Sequence, residues 1–513
     1  MKQLNEFKTN SGESILYTGN PNFELLEVLS LGAGDIWHSS FGQGYKNAFP
    51  ELVYQTATFF WYLNDFDNLN ECVSWRVNPN AFGVRKSVWE TLNGFDADYQ
   101  NPQMQALDFG YNALRNSGAV PLYVKGLFKS AEKEEINIIA KDRYTFFIKN
   151  FKLEHSIFMR YREGFWKWKE WQAFFYAKKH FRKTDSKPTI KPRALNPIVE
   201  NPTVSYIIPT MMRQDFTLQL LNDLAYQSFP PTQVVLVDAT PKDQRNESLY
   251  DAKEYPFQLV LKWQQTKGSC RARNEAIALC TGDYIVFGDD DIRVPADFIE
   301  NHIRFLQTYH TGACNGLDIR ADHQKQDLND LEIKLAKLGS KRWVCGSAQM
   351  FSNANSCVKR ELVNQLKGND INFDGGYGED SDFGMSLSKI GVTVLHNPFS
   401  VNLHLKPPAG GYRFWGTEAK KTGKLRKSQP WELDTPVTLL KPVPSPTVMY
   451  GIVKHFTPEQ VIEYRYKYFF LFLFKGPKIS FLYRLLKIPY KQLQFNKSLF
   501  YAKKLMALGK RTV

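Results

Sequence analysis

Four short apolar runs punctuate residues 203–287, and the segments between them carry apolar residues at helical spacing. Residues 203–208 read as a first strand, stopped by Pro209 and Thr210, and residues 216–226 as the helix that follows. Residues 233–237 form a second strand ending at Asp238, residues 258–261 a third, and residues 284–287 a fourth. The stretch from Lys267 through Gly268 and Arg273 turns into a helix before that fourth strand. Strands separated by helices cross over rather than fold back. The alternation therefore predicts an α/β fold with a right-handed, mostly parallel, Rossmann-like sheet whose loops gather at one edge.

Ligands of such sheets bind outside the carboxyl ends of the strands. There the fourth strand ends in Asp289, Asp290 and Asp291, and a second acidic knot of Glu379, Asp380 and Asp382 follows in a glycine-rich stretch. Like charges this close repel, and a divalent cation relieves them. Hard oxygen ligands suit Mg²⁺ or Mn²⁺, which complete their shells with water and substrate phosphates. An isolated acidic triplet is more often a solvated turn. Here the ordered elements around it favour a site.

With those motifs in order, residues 203–410 resemble a family 2 glycosyltransferase of the GT-A fold. The resemblance rests on the strand leading into Pro209 and Thr210, the strand ending at Asp238, the helix start at Ala272-Arg273-Asn274, the Asp289 and Asp291 pair, and the knot Glu379-Asp380-Ser381-Asp382. It implies a donor site of Pro209, Thr210, Arg213, Asp238, Arg273, Asp289 and Asp290 for a nucleotide diphosphate sugar, with a UDP-linked donor as the expectation. Asp238 would read the nucleobase, Asp289 lie near the ribose, Asp291 hold the metal, and Asp380 beside Glu379 act as base. One base acting directly implies a single displacement with inversion. Here Ala239-Thr240-Pro241 follow Asp238, where the family commonly carries further acidic and small residues.

His404, past the acidic knot, is the expected third metal ligand, since imidazole suits Mn²⁺. Lys406, Tyr412 and Arg413 sit in a basic stretch with Gly410 and Gly411 as hinges, and with Asp382 they are the expected acceptor and lid residues. A lone histidine is more often structural, and a Pro/Gly-rich stretch is more often an ordinary loop.

The first part of the chain repeats the second faintly. Asn80 through Lys86 resembles Asn355 through Arg360, and Ala106-Leu107-Asp108-Phe109-Gly110 overlays Asp380 through Gly384. Ala106 then stands where Asp380 does, and the sequence shows no counterpart of the triple-aspartate strand. Residues 1–130 are accordingly expected to be a degenerate GT-A-like lobe without catalysis, 131–200 an aromatic and basic helical linker, 201–412 the catalytic domain, and 413–513 a linker followed by basic amphipathic helices. A length of 513 residues accommodates two to four such units.

Charge is concentrated at the end. Residues 401–513 hold 21 Lys and Arg against 5 Asp and Glu, whereas the whole chain is +14, so the rest is near neutral. Cations interleaved with Phe, Tyr and Leu suit an anionic membrane surface better than nucleic acid. No run reaches the roughly 20 apolar residues that span a bilayer, and the six cysteines lack metal spacing. A cytoplasmic enzyme, peripheral at the inner face of the membrane, is expected. Its acceptor would be a lipid-linked or surface polysaccharide, and a homo-oligomer is compatible with that reading. The alternative is a carbohydrate- or nucleotide-binding scaffold built from two inactive lobes.

Overall fold

The computed structural model describes residues 4–58, 60–129, 133–184, 187–250, 254–265, 267–412, 428–474 and 477–513. Among the described residues, fourteen strands divide between two sheets. The first holds β1 (Asn5–Lys8), β2 (Ser14–Thr18), β3 (Ile36–His38), β4 (Glu71–Val73), β5 (Phe82–Arg85) and β6 (Pro121–Val124), in the order β1-β2-β5-β3-β6-β4. The second holds β7 (Val204–Thr210), β8 (Gln233–Asp238), β9 (Gln258–Trp263), β10 (Tyr284–Gly288), β11 (Ile292–Arg293), β12 (Ala313–Arg320), β13 (Asn355–Lys359) and β14 (Val394–His404). Its order is β11-β14-β12-β13-β10-β7-β8-β9.

The strands at 204–288 are the ones anticipated, and β7, β8, β9 and β10 pair in parallel. Every residue of β7 and β8 is buried, as parallel strands covered on both faces require. Beyond β10 the sheet is mixed rather than mostly parallel. β13 lies antiparallel between β10 and β12, β12 and β14 are parallel, and the two-residue β11 pairs antiparallel with β14. Gly288 closes β10 because a Cβ there would meet the Tyr206 hydroxyl oxygen at 2.2 Å. The three aspartates follow immediately.

The first sheet reuses part of this connectivity. β5 lies antiparallel to β2 and β3, and β3 is parallel to β6, as β13 lies antiparallel to β10 and β12 while β12 is parallel to β14. A short helix follows each middle strand, at Lys86–Thr91 and Arg360–Gln365. A longer one comes next in each domain, at Pro102–Asn112 and Glu379–Lys389. β2 thus occupies the place of β10, a counterpart that the sequence had not disclosed. It leads into Gly19-Asn20-Pro21 instead of aspartates. Asp108, on the first of these longer helices, is buried and accepts hydrogen bonds from the Tyr99 hydroxyl and the Asn150 amide, both at 2.8 Å. That is a structural post.

The two sheets pack into one continuous core. The Tyr62 hydroxyl donates to the Ala348 carbonyl at 2.6 Å, and the Gln349 amide to the Leu114 carbonyl at 3.1 Å. Among the described residues no helix is long and apolar enough to cross a membrane.

The C-terminal region differs from a peripheral appendage. Helix Pro446–His455 buries Met449, Tyr450 and Ile452, and helix Ile488–Leu508 buries Phe495, Tyr501 and Leu505. The Arg511 carbonyl accepts from the Ile371 amide at 2.9 Å, and the Thr512 carbonyl accepts from the Asn274 side chain at 2.8 Å. The tail therefore buttresses the helix that carries Arg273. Local charge density could not reveal this, because the partners lie more than a hundred residues away. The linker helices are likewise packed. Phe158, from helix Leu153–Glu163, meets Phe470 of helix Pro458–Phe474 at a ring separation of 5.2 Å, and the Arg162 Nε donates to Glu463 at 2.8 Å. Burial beside these rings pushes the Lys467 ammonium down to about 7.

Candidate active site

A cavity of about 460 Å³ opens at the carboxyl ends of β7 and β10. Two acidic groups from different elements line it. Asp289, Asp290 and Asp291 enter from the end of β10, and Glu379 and Asp380 enter from the first turn of helix Glu379–Lys389. Gly378 turns the chain into that helix with φ +108°, a left-handed value that glycine adopts without strain. The Asn353 amide donates to Asp380 Oδ1 and fixes its carboxylate.

The short β11 explains the metal-like cluster. Pairing Ile292 with His404 lays the end of β14 beside the aspartates, and the Leu405 amide donates to the Asp291 carbonyl at 2.7 Å. Ligand atoms of Asp289, Asp291 and His404 consequently lie within 4.8 Å of one another. His404 Nε2 is 3.3 Å from Asp291 Oδ1, and its Nδ1 is 3.1 Å from Asp318 Oδ1. Burial disfavours a charged imidazole, but the two carboxylates outweigh it and push His404 up to about 10. The site thus holds a cation where the histidine proton sits. A carboxylate, a second carboxylate and an imidazole are a donor set that fits Mn²⁺ or Mg²⁺.

Asp318 is the residue that sequence reasoning missed. It lies on β12, where parallel pairing sets Asp318 against Asn402 and Arg320 against His404, and the Asn402 amide donates to its carboxylate at 2.7 Å. Nothing in the local sequence marks it, since the contact depends on β12 lying next to β14. A carboxylate on the far nitrogen orients a metal-binding imidazole and raises its basicity. Asp318→Asn is expected to weaken Mn²⁺ binding by about 10–100-fold while leaving the fold intact. Titration calorimetry with Mn²⁺ checks this, and an unchanged affinity would separate Asp318 from the ion.

Three arginines line the same cavity, Arg213, Arg273 and Arg320. Gly268 lets the helix Ser269–Ile277 start against Asp374, since a Cβ would meet that carboxylate at 2.3 Å. Arg273 on this helix is 5% exposed and donates from Nη2 to Asp289 at 2.7 Å, yet its buried Nε and Nη1 have no hydrogen-bond partner among the described residues. Such orphaned charged donors call for an anion. Arg213 bridges Asp290 at 3.1 Å and Asp291 at 2.9 Å.

The remaining expected residues distribute unevenly. Pro209, Lys406 and Tyr412 line the cavity, and the Tyr412 hydroxyl donates to Gln264 at 3.1 Å beyond the end of β9. Asp290 faces inward and accepts from the buried Thr210 hydroxyl at 2.7 Å, and desolvation raises its carboxyl to about 7. Thr210 therefore supports Asp290 instead of meeting a ligand. Asp238 does not line the cavity. Its two oxygens accept from the Thr240 amide at 2.7 Å and the Tyr250 hydroxyl at 2.9 Å. Asp382 is turned away from the cavity altogether, bound at 2.7 Å by both Lys454 and His455, and so anchors the C-terminal helix. Asp382 is not among the residues that line the cavity. Arg413 lies outside the described residues.

The strand order, the acidic strand end and the facing helix define a GT-A domain. Residues 205–367 match the family described as Glycosyl transferase family 2, and this domain belongs to it. The poly(ribitol-phosphate) beta-N-acetylglucosaminyltransferase TarS of Staphylococcus aureus is 31% identical over 113 residues, which are 21% of this chain and 19% of TarS. The chain thus spans about a fifth of the length of that relative. Solved structures of similar arrangement include TarS residues 1–349 with UDP-GlcNAc, at 16% identity, covering 60% of this chain and 83% of that one with a TM-score of 0.38. Another is the mannosyltransferase PcManGT of Pyrobaculum calidifontis with GDP-Man and Mn²⁺, at 18% identity, 62% and 92% coverage and a TM-score of 0.34.

Proposed function

We propose that this protein is a metal-dependent, inverting glycosyltransferase that moves a sugar from a nucleotide diphosphate sugar, UDP-linked, to a surface-polysaccharide or lipid-linked acceptor. One observation carries the reading: Asp289, Asp291 and His404 cluster in a cavity that Asp380, from a separate helix, also lines, with the orphaned donors of Arg273 buried among its lining residues. A divalent cation held by Asp289, Asp291 and His404 would neutralise a departing diphosphate. Arg273 supplies fixed positive charge to the same oxygens. Asp380, held by Asn353, accepts the proton of the acceptor hydroxyl as that oxygen attacks the anomeric carbon. Asp380 acting directly as the base on the acceptor hydroxyl would make the transfer a single displacement with inversion. The poly(ribitol-phosphate) acceptor in the TarS name supports a cell-surface polymer as the acceptor class. Incubation with Mn²⁺ and a panel of nucleotide sugars, recording nucleotide release, tests the reading. No release from any donor, with or without acceptor, would favour the binding-scaffold alternative.

An anionic membrane surface is part of the proposal. Trp166 is 85% exposed, Ile479 94%, Leu482 71% and Leu486 81%. Cations on the same segments include Lys167, Lys169, Arg484 and Lys487. Exposed rings and leucines flanked by cations match the chemistry of an interfacial helix. Leu482→Glu with Leu486→Glu is expected to reduce co-sedimentation with phosphatidylglycerol vesicles at least severalfold. Equal sedimentation of parent and variant would remove this face from any membrane contact.

A further inference from the structure

A large cleft lies in the first domain. Its volume is about 860 Å³, within the roughly 300–1,000 Å³ of ligand pockets. Thr18, Asn80, Trp89, Phe95, Gln103 and Gln105 are among the residues that line it, and among the described residues no lining residue is charged.

Its place in the fold is informative. Arg85 and Lys359 each end a middle strand and precede a short helix, which fixes a common register. In that register Asn80 stands at Ala354, and the sequence overlay of Ala106 through Gly110 on Asp380 through Gly384 sets Gln105 at Glu379 and Ala106 at Asp380. Ala354 and Glu379 line the cavity of the second domain, as Asn80 and Gln105 line this cleft. Thr18, at the end of β2, lines it where the end of β10 lines the other. The cleft is therefore the first domain's counterpart of the reaction cavity, with amides in its lining in place of the acids.

That replacement changes what can bind. Without carboxylates there is no metal set, and without arginine or lysine in the lining there is nothing to neutralise a diphosphate. What remains is two half-buried rings and several amides. Trp89 packs edge-on against Phe95 at 5.0 Å and against Phe82 and Phe109, which holds its indole rigidly. The amides are held as well: Gln105 donates to the Tyr99 carbonyl at 2.9 Å, and Asn80 to Glu134 at 3.0 Å. Fixed rings offer an apolar platform and fixed amides offer both donors and acceptors. A pyranose ring has an apolar face and a rim of hydroxyls, and it satisfies both.

We propose that this cleft binds neutral sugar residues of a glycan chain, without chemistry, and so holds a polymer on the first domain. Binding here does not depend on the second domain being an active transferase. The test uses the full chain and three probes, the neutral tetrasaccharides of β-1,4-linked N-acetylglucosamine, β-1,4-linked glucose and α-1,2-linked mannose. Titration calorimetry and saturation-transfer NMR are expected to show at least one bound with a dissociation constant on the order of 1 mM or tighter. Trp89→Leu is expected to weaken it at least tenfold, and the exposed Asn80→Ala, which leaves the core untouched, severalfold. Saturating UDP with Mn²⁺ is expected to leave the affinity unchanged. Failure of all three probes to bind would overturn the proposal. So would binding that UDP displaces or that both variants retain in full, since it would then belong to the second domain. Donor hydrolysis should be equal in parent and Asn80→Ala. A chain that binds glycan but releases no nucleotide would refute the transferase reading alone.

Discussion

Asp380→Asn is expected to lower turnover by about 10²–10⁴-fold, the range for losing a general base, while donor affinity in Mn²⁺ stays within severalfold of the parent. The substitution is nearly isosteric and keeps the Asn353 contact within reach, so the helix start and the cavity persist. Only the capacity to take a proton is lost. Because Asp380 is not part of the Asp289, Asp291 and His404 cluster, its loss is expected to reach the acceptor step and spare donor binding. Steady-state rates and donor titrations with the same two proteins check both halves. Comparable turnover in variant and parent would exclude Asp380 from the mechanism, and a large loss of donor affinity would place it with the donor.

Asp291→Ala is expected to remove metal-dependent donor binding, by about 10²-fold or more, because a diphosphate beside Asp289 and Asp290 then lacks its counter-charge. A pH signature accompanies this. In the metal-free protein His404 is raised to about 10, so its proton is present at neutral pH and is lost only as pH rises through that value. A metal must displace that proton. Mn²⁺ affinity should therefore rise about tenfold per pH unit between pH 6 and 9, and binding at pH 7.5 should release close to one proton per ion. Calorimetry in buffers of different ionisation enthalpy measures the release directly. Unchanged donor affinity in the variant, or no proton release in the parent, would show that the ion is held elsewhere.

Much of the second domain was readable from its residues alone. β7, β8 and β10 are unbroken apolar runs because both faces are covered, and such runs announce themselves. Their order placed Asp289–Asp291 at the ligand-binding edge. The faint repeat was also visible, through Asn80, Asp108 and their later counterparts. β2 was not, since a five-residue strand with one buried residue carries little pattern, and the acids that mark its counterpart β10 are missing.

The sequence by itself determined the parallel half of the sheet, the acidic strand end and the acidic helix start, because each is written in neighbouring residues. Only the tertiary structure decided which of those acids serve the site. Asp291 meets His404 through the β11–β14 pairing, and Asp318 arrives through β12 and β14, whereas Asp382 is drawn away by Lys454 and His455. A carboxylate's task depends on which cation reaches it, and those cations come from strands and helices distant in sequence. For the same reason the basic tail, read locally as a membrane segment, became in good part the support of the catalytic helices once its aromatic faces found Phe373, Trp431 and the core beneath them.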